Sequence, residues 1–249
     1  MIKKSFFNKQ GAFNIMKKIN KKQIVVTMAV GDSVKKMAEV TVPKIRALAK
    51  NWNADFHCFD SLDKEYGHPS CGKNMLWQFF DQEYRVCWID VDILVKENAP
   101  NIFSIVPENH IGLVERGSYW KKGHVFHIIE EYAKNFNLKY PENSLNIEGY
   151  SGRYYNAGMF VADANTFPLD RDFVPFINLP FAFIEQTLFN IKIHEKKIPV
   201  FELPWIWNAV DGMLSLEGSL SSLLKNSYMR HYTVYKSRLF QDAKELKNV

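Results

Sequence analysis

The run Val86-Cys87-Trp88-Ile89-Asp90-Val91-Asp92-Ile93-Leu94-Val95 sets two carboxylates one residue apart at the end of an apolar stretch, with no basic residue inside the run. A strand this apolar reads as buried on both faces. A buried carboxylate is costly unless its pKa rises, a basic group reaches it from elsewhere, or a divalent cation binds. Residues i and i+2 share a face of a regular strand, so a strand continuing through Asp92 points both side chains at one ion. Two hard oxygen ligands suit Mg²⁺ or Mn²⁺. The alternative is an Asp-x-Asp turn whose side chains cap backbone amides, and the run alone does not separate the two.

The elements that position these carboxylates alternate. Gln23–Val30 reads as a strand and Ser33–Asn51 as an amphipathic helix, interrupted or kinked at Pro43. Ala54–Phe59 is a second strand, and a helix over Lys73–Asp81 leads into the strand Tyr84–Asp90. This β-α-β-α-β order predicts an α/β fold with a mainly parallel sheet, whose ligands bind at the carboxyl ends of its strands, where Asp90 and Asp92 lie. The later half is less regular: an apolar segment Ile111–Val114, a helix near Val125–Asn135, a strand Ala157–Ala162, a helix Phe183–His194, and short strands near Ile198–Phe201 and Ser227–Tyr232. It is expected to complete a cleft as a smaller lobe.

The chain of 249 residues with 47% hydrophobic content is ample for a folded core, and its scattered Gly and Pro mark no linker or repeat. Residues 1–22 are read as a basic extension and 23–249 as one domain. The extension holds seven lysines and no acid, so the net charge of +5 leaves the body mildly acidic, which argues against nucleic-acid binding. Phe6, Phe7, Phe13, Ile15, Met16 and Ile19 interleave with those lysines and could lay the extension on an anionic membrane surface. A solvated extension is the plainer reading, and Met16 offers a second candidate start. Three cysteines without zinc-ligand spacing, no spanning run and no signal-peptide core lead to the expectation of a cytoplasmic protein, with contact at the membrane surface through the extension.

An apolar run ending in Asp-x-Asp also occurs in haloacid dehalogenase-like phosphatases, with the first Asp as nucleophile and the second as general acid. Their later Gly-Asp pair is missing after Asp90; Gly31-Asp32 comes before it. The fuller resemblance, over most of Gln23–Arg238, is to the GT-A nucleotide-sugar glycosyltransferases, within them the retaining family 8 that contains glycogenin and bacterial lipopolysaccharide galactosyl- and glucosyltransferases. It rests on Thr27-Met28-Ala29-Val30-Gly31-Asp32, Lys73, Trp88-Ile89-Asp90-Val91-Asp92, Tyr155-Asn156-Ala157-Gly158-Met159-Phe160, Glu185-Gln186 with Asn190, Trp207-Asn208, and His231-Tyr232 with Lys236. The resemblance implies a GT-A fold, a Rossmann-like sheet flanked by helices with a smaller acceptor-side lobe. It implies a UDP-hexose donor cradled by Thr27 and Ala29, with Lys73, Asp90 and Lys236 also at the donor, and a glycan-type acceptor. Asp90, Asp92 and His231 would hold Mn²⁺, with Mg²⁺ as the alternative, and Asn156, Glu185 and Gln186 would flank the reacting sugar. Ser237-Arg238 replaces the family's Pro-Trp and the spacing to Lys236 is one short, so Arg238 competes for the lysine's role.

The chemistry accounts for these residue types. A nucleoside diphosphate leaves readily once the charge developing on it is neutralised, so no general acid is needed. A glycosidase needs two facing carboxylates, whereas this chain offers one clustered pair and a distant Glu185. In a retaining transferase the Gln186 carbonyl would face an oxocarbenium-like sugar. Trp120 and Tyr154 are candidates for stacking on an acceptor. A catalytically silent sugar-nucleotide or glycan-binding module, and the phosphatase, are the alternatives.

Overall fold

Strand β1 (Lys22–Met28) sends Ile24, Val26 and Met28 into one core cluster and Val25 into another. Strand β3 (Tyr84–Ile89) does the same, with Val86 and Trp88 on one side and Cys87 and Ile89 on the other. Both strands are therefore buried on two faces, which is why their sequences read as unbroken apolar runs. The computed structural model describes residues 21–62, 69–115, 153–171, 184–211, 225–233 and 236–245. The segment around Trp120 and the helix expected near Val125–Asn135 lie outside them, as does the basic extension up to residue 20. Its last two lysines belong to the fold: Lys22 opens β1, and Lys21 pairs with the buried Asp163 at 3.0 Å.

Helix α1 (Asp32–Asn51) runs unbroken through Pro43 and buries Met37, Thr41, Ile45, Leu48 and Ala49. The expected interruption does not occur, because packing along this face outweighs the one backbone hydrogen bond a proline removes. The Thr41 hydroxyl lies 2.7 Å from the carbonyl of Val91, fastening α1 to the segment between the two aspartates. After β2 (Asp55–Phe59), the single helix expected over Lys73–Asp81 is instead a 3₁₀ stretch, Pro69–Leu76, followed by the short α2 (Trp77–Phe80). Gly72 explains part of this: it is a weak helix former, and a Cβ there would stand 2.1 Å from Met28 Cε.

The remaining elements are β4 (Ile93–Val95), α3 (Ile102–Ile105), β5 (Ile111–Glu115), β6 (Tyr155–Ala162), α4 (Ile184–Glu195), β7 (Val200–Leu203), β8 (Ala209–Val210), β9 (Met229–His231) and α5 (Arg238–Glu245). The main sheet has the order β2-β1-β3-β6-β5-β7, and β4-β9-β8 form a smaller sheet of three. Only β6 runs against its neighbours in the main sheet, so the expected mainly parallel sheet is found with one reversed strand at its centre. The later half thus supplies three strands to the same sheet. Its last two strands join β4 beside the ends of β1 and β3. The α1 face of the sheet carries Ile45, Leu48 and Trp52, and the α4 face carries Phe79, Phe80, Phe160, Phe167 and Phe189.

Candidate functional site

Strand β3 ends at Ile89, one residue before the first aspartate. Asp90, Val91 and Asp92 then form a tight turn closed by the Ile93 N–H donating to the Asp90 carbonyl at 3.0 Å. The carboxylates therefore converge through a turn and not through strand alternation, so the expectation of a strand continuing through Asp92 is corrected. Three contacts hold the turn: the Asp90 N–H on the Gly158 carbonyl at 2.8 Å, the Tyr232 N–H on the Asp92 carbonyl at 3.0 Å, and Thr41 on Val91. β4 then pairs antiparallel with β9, setting Ile93 opposite His231. That register brings the imidazole beside Asp92, with Nε2 3.2 Å from Oδ1.

Ligand atoms of Asp90, Asp92 and His231 lie within 4.8 Å of one another. Adjacent ligands of an octahedral ion with bonds of ~2.1 Å stand ~3 Å apart, so the His231 to Asp92 spacing suits a shared cation. The donor set, two carboxylates and an imidazole, fits Mn²⁺ or a similar divalent ion. Burial opposes ionisation of Asp92, but the charge and hydrogen bond of His231, with the charge of Lys236, outweigh it and hold this carboxyl below the usual carboxylate range. Lys236 reaches Asp92 Oδ2 at 3.5 Å, while Arg238 turns to Asp242 at 3.6 Å. Of the two candidates for the basic role, Lys236 is the one at the cavity.

On the other side of Asp90, Oδ1 accepts the Trp88 indole N–H at 2.6 Å and lies 3.5 Å from Lys73 Nζ. Lys73 is 3% exposed and pairs with Glu185 at 2.5 Å. Burial alone would favour its neutral amine, yet Asp90 and then Glu185 override that and hold it protonated well above the ordinary lysine value. For Glu185 the balance falls the other way: burial, aided by Asp90, raises its pKa against the pull of Lys73. Lys73 is thus a bridge between Asp90 and Glu185.

Strand β6 carries the third part of the site. Leu113 of β5 pairs with Phe160, yet the next residue, Val114, pairs with Asn156, so Ala157–Met159 bulge out of the β5 ladder. Bulges re-aim side chains beside sites of this kind. Here the Gly158 N–H donates back to Asn156 Oδ1 at 2.8 Å, the turn-type bond an Asn before Ala-Gly suggests. Asn156 Nδ2 donates to Gln186 Oε1 at 3.0 Å, which also accepts the Ala157 N–H at 3.1 Å. The Gln186 carbonyl is therefore engaged twice, and its buried amide NH₂ has no partner among the described residues. The expectation that this carbonyl faces the sugar is amended accordingly.

Helix α4 is held to β6 by Asn190, whose side chain accepts the Tyr155 N–H at 2.7 Å and donates to the Tyr155 carbonyl at 2.9 Å, as a neighbouring strand would. Glu185, Gln186 and Asn190 form the polar side of the helix, but that side is buried toward the site and not solvated. Tyr154, expected on the acceptor side, is 1% exposed with its hydroxyl 3.0 Å from Thr187, so it is a core residue. Thr27 is fully buried on the β1 face shared with Val25, and its hydroxyl lacks a partner among the described residues. Met28 and Val30 line the cavity in place of Thr27 and Ala29.

Two adjoining cavities result. One, about 230 Å³, has Met28, Val30, Val34, Met37, Pro69 and Trp88 as an apolar wall beside Asp90 and Asp92. The other, about 210 Å³, gathers Asn156, Gly158, Gln186, His231 and Thr233, and both share Lys73, Asp90, Asp92, Glu185 and Lys236. Sequence reasoning missed the Trp88 indole on Asp90 and gave Asn208 no role; Asn208 is fully buried and touches both Asn156 and His231.

The sequence model of glycosyl transferase family 8 matches residues 13–171, more than half of the chain. Among solved structures, a glycosyltransferase involved in the glycosylation of the major capsid of PBCV-1 is similar at a TM-score of 0.53 and 11% identity, over 92% of this chain and 100% of that one. Mouse xyloside xylosyltransferase 1, in its apo form, matches at a TM-score of 0.47 and 12% identity, over 86% of this chain and 99% of its own. The first likeness is one of fold. No curated protein matches.

Proposed function

The chain belongs to glycosyl transferase family 8, and from that premise we propose that it moves a hexose, glucose or galactose, from a UDP-sugar to a glycan-type acceptor with retention of configuration. Asp90, Asp92 and His231 would hold the divalent cation, Mn²⁺ in preference to Mg²⁺. When bound, that cation would neutralise the negative charge gathering on the diphosphate as it leaves. The observation that carries this reading is the convergence of the three ligand groups, from the Asp90–Asp92 turn and from β9, at a cavity that also holds Lys73 and Gln186.

The chain's own residues divide the work. Lys73 and Lys236 add fixed positive charge on either side of the aspartate turn, where phosphate oxygens would lie. The apolar wall of Met28, Val30, Val34 and Met37 offers a surface for the base. Asn156, Glu185 and Gln186 stand on the sugar side. With its carbonyl already engaged, Gln186 presents N–H donors to a sugar oxygen. No side chain in the site needs to act as an acid. The phosphatase alternative drops out on the family match. Among the described residues no helix is long and apolar enough to cross a membrane.

Thermal stabilisation by UDP with and without Mn²⁺, on wild type and Asp92→Ala, tests the reading. Ligand at 100-fold over its Kd adds ~2.7 kcal/mol, or about 5–11 °C for a chain of this size. A shift that requires Mn²⁺ and vanishes in Asp92→Ala, followed by release of UDP from UDP-glucose or UDP-galactose, is the expected result. Binding without turnover would favour the silent module, and no shift with UDP or any other nucleoside diphosphate would end the proposal.

A further inference from the structure

His231 Nδ1 lies 3.1 Å from Asn208 Oδ1, Asn208 Nδ2 lies 2.7 Å from Asn156 Oδ1, and Asn156 Nδ2 lies 3.0 Å from Gln186 Oε1. The polarity of this chain is set by two backbone donors. The Ala157 N–H can only donate, so the Gln186 atom it meets must be the carbonyl oxygen, and the same holds for Gly158 and Asn156. Asn156 must then offer its NH₂ to Gln186, Asn208 must offer its NH₂ to Asn156, and the oxygen of Asn208 is left facing the imidazole. A carbonyl oxygen accepts only, so Nδ1 of His231 carries a hydrogen. Nε2, the nitrogen beside Asp92, is then the one left to meet a metal.

We propose that Asn208 is a positioning residue that fixes the tautomer of His231 and, through Asn156, ties the metal-side imidazole to the sugar-side amide of Gln186. All four residues are at most 5% exposed, so water does not compete for these bonds. The packing supports a rigid relay: a Cβ on Gly158 would stand 2.3 Å from His231 Cε1 and 2.8 Å from both His231 Nδ1 and Asn156 Oδ1, so ring and amide lie directly on the strand backbone. The same polarity makes the buried atom of Gln186 without a partner among the described residues its amide nitrogen. This proposal rests on the reading of His231 as a metal ligand. Ligand histidines with a fixed partner on the second nitrogen lose ~10–100-fold in metal affinity when that partner is removed.

The test uses the full chain, without metal and with Mn²⁺ alone. Long-range ¹H–¹⁵N NMR of His231 in the metal-free wild type is expected to show a hydrogen on Nδ1, held to Asn208. Asn208→Leu removes acceptor and donor together, and should give a mixture of tautomers and a ~10–100-fold weaker Mn²⁺ Kd by titration calorimetry. Asn208→Asp keeps an acceptor for His231 but not the donor to Asn156, so the tautomer should survive while the Gln186 side-chain NH₂ resonances move. Should Asn208→Leu fail to fold, Asn208→Asp still carries the test through those resonances. Wild-type tautomer and Mn²⁺ affinity retained in a folded Asn208→Leu, or unmoved Gln186 signals in Asn208→Asp, would overturn the proposal. Absence of Mn²⁺ binding in the wild type would instead overturn the metal reading on which it stands.

Discussion

Replacing Lys73 by Met removes the cation between two carboxylates and tests whether this centre is as desolvated as its burial implies. At an effective dielectric constant of ~20, unit charges 2.5 Å apart attract by about 7 kcal/mol and those 3.5 Å apart by about 5 kcal/mol, the separations of Lys73 from Glu185 and Asp90. Dehydration of the buried ions cancels much of this, and removal of one member of such a pair leaves a net loss of ~3–5 kcal/mol. For a chain of this size the melting temperature should fall by about 6–20 °C. The sign of the pH response follows from Glu185. Its pKa is already raised by burial and by Asp90, and loss of Lys73 raises it further. A carboxyl with a raised folded pKa destabilises the fold when ionised, so the variant's deficit should shrink as pH falls through that pKa and grow as pH rises through it. The double variant Lys73→Met/Glu185→Leu removes both charges and should recover much of the melting temperature while remaining inactive. Calorimetric melts of wild type, single and double variants across pH 5–8 measure all three effects. A single variant melting within ~2 °C of wild type, with a deficit independent of pH, would refute the argument.

Other expectations follow from the same geometry. Gly158→Ala puts a Cβ 2.3 Å from His231 Cε1, so it should cost ~1–3 kcal/mol in urea unfolding and weaken Mn²⁺ binding. Asn190→Ala strips the two bonds to Tyr155 and leaves a buried N–H and C=O unpaired, at ~1–3 kcal/mol for each group, again by urea unfolding. Asp90→Asn keeps the size of the side chain but removes one ligand charge and one partner of Lys73; UDP release by the metal-loaded enzyme should fall at least ~100-fold, with added Mn²⁺ restoring little of it.

The parts of this architecture that depend on local pattern were readable from the chain. β1 and β3 announce burial on both faces, and Asp90 and Asp92 stand out because nothing in their own run neutralises them. His231, Glu185 and Gln186 came from resemblance, since a lone imidazole or amide carries no periodic signal. What could not be read depends on distant pairings. The reversal of β6 shows only in its pairing with β3 and β5, and one strand's sequence looks alike in either direction. The turn at Asp90–Asp92 is drawn shut by Gly158, Tyr232 and Thr41, all remote in sequence. Glu185 as partner of Lys73, and Asn208 as partner of His231, are likewise products of the fold. Pro43 misled because its cost is local while the packing that outweighs it is not.

The pairing of β4 with β9 joins Ile93 to His231, across more than half the chain. Such long-range pairings carry a large loop-closure entropy and form late in folding. The two aspartates stand on one side of that zipper and the histidine on the other, so a chain can complete its first parallel strands and still have no competent centre. A ligand that engages both sides acts as a latch: by mass action it favours the zipped state over any partly opened one. Hydrogen exchange at the amides of Met229, Arg230 and His231 would then report occupancy of the centre, making the last strand to join the sheet a gauge of whether it is loaded.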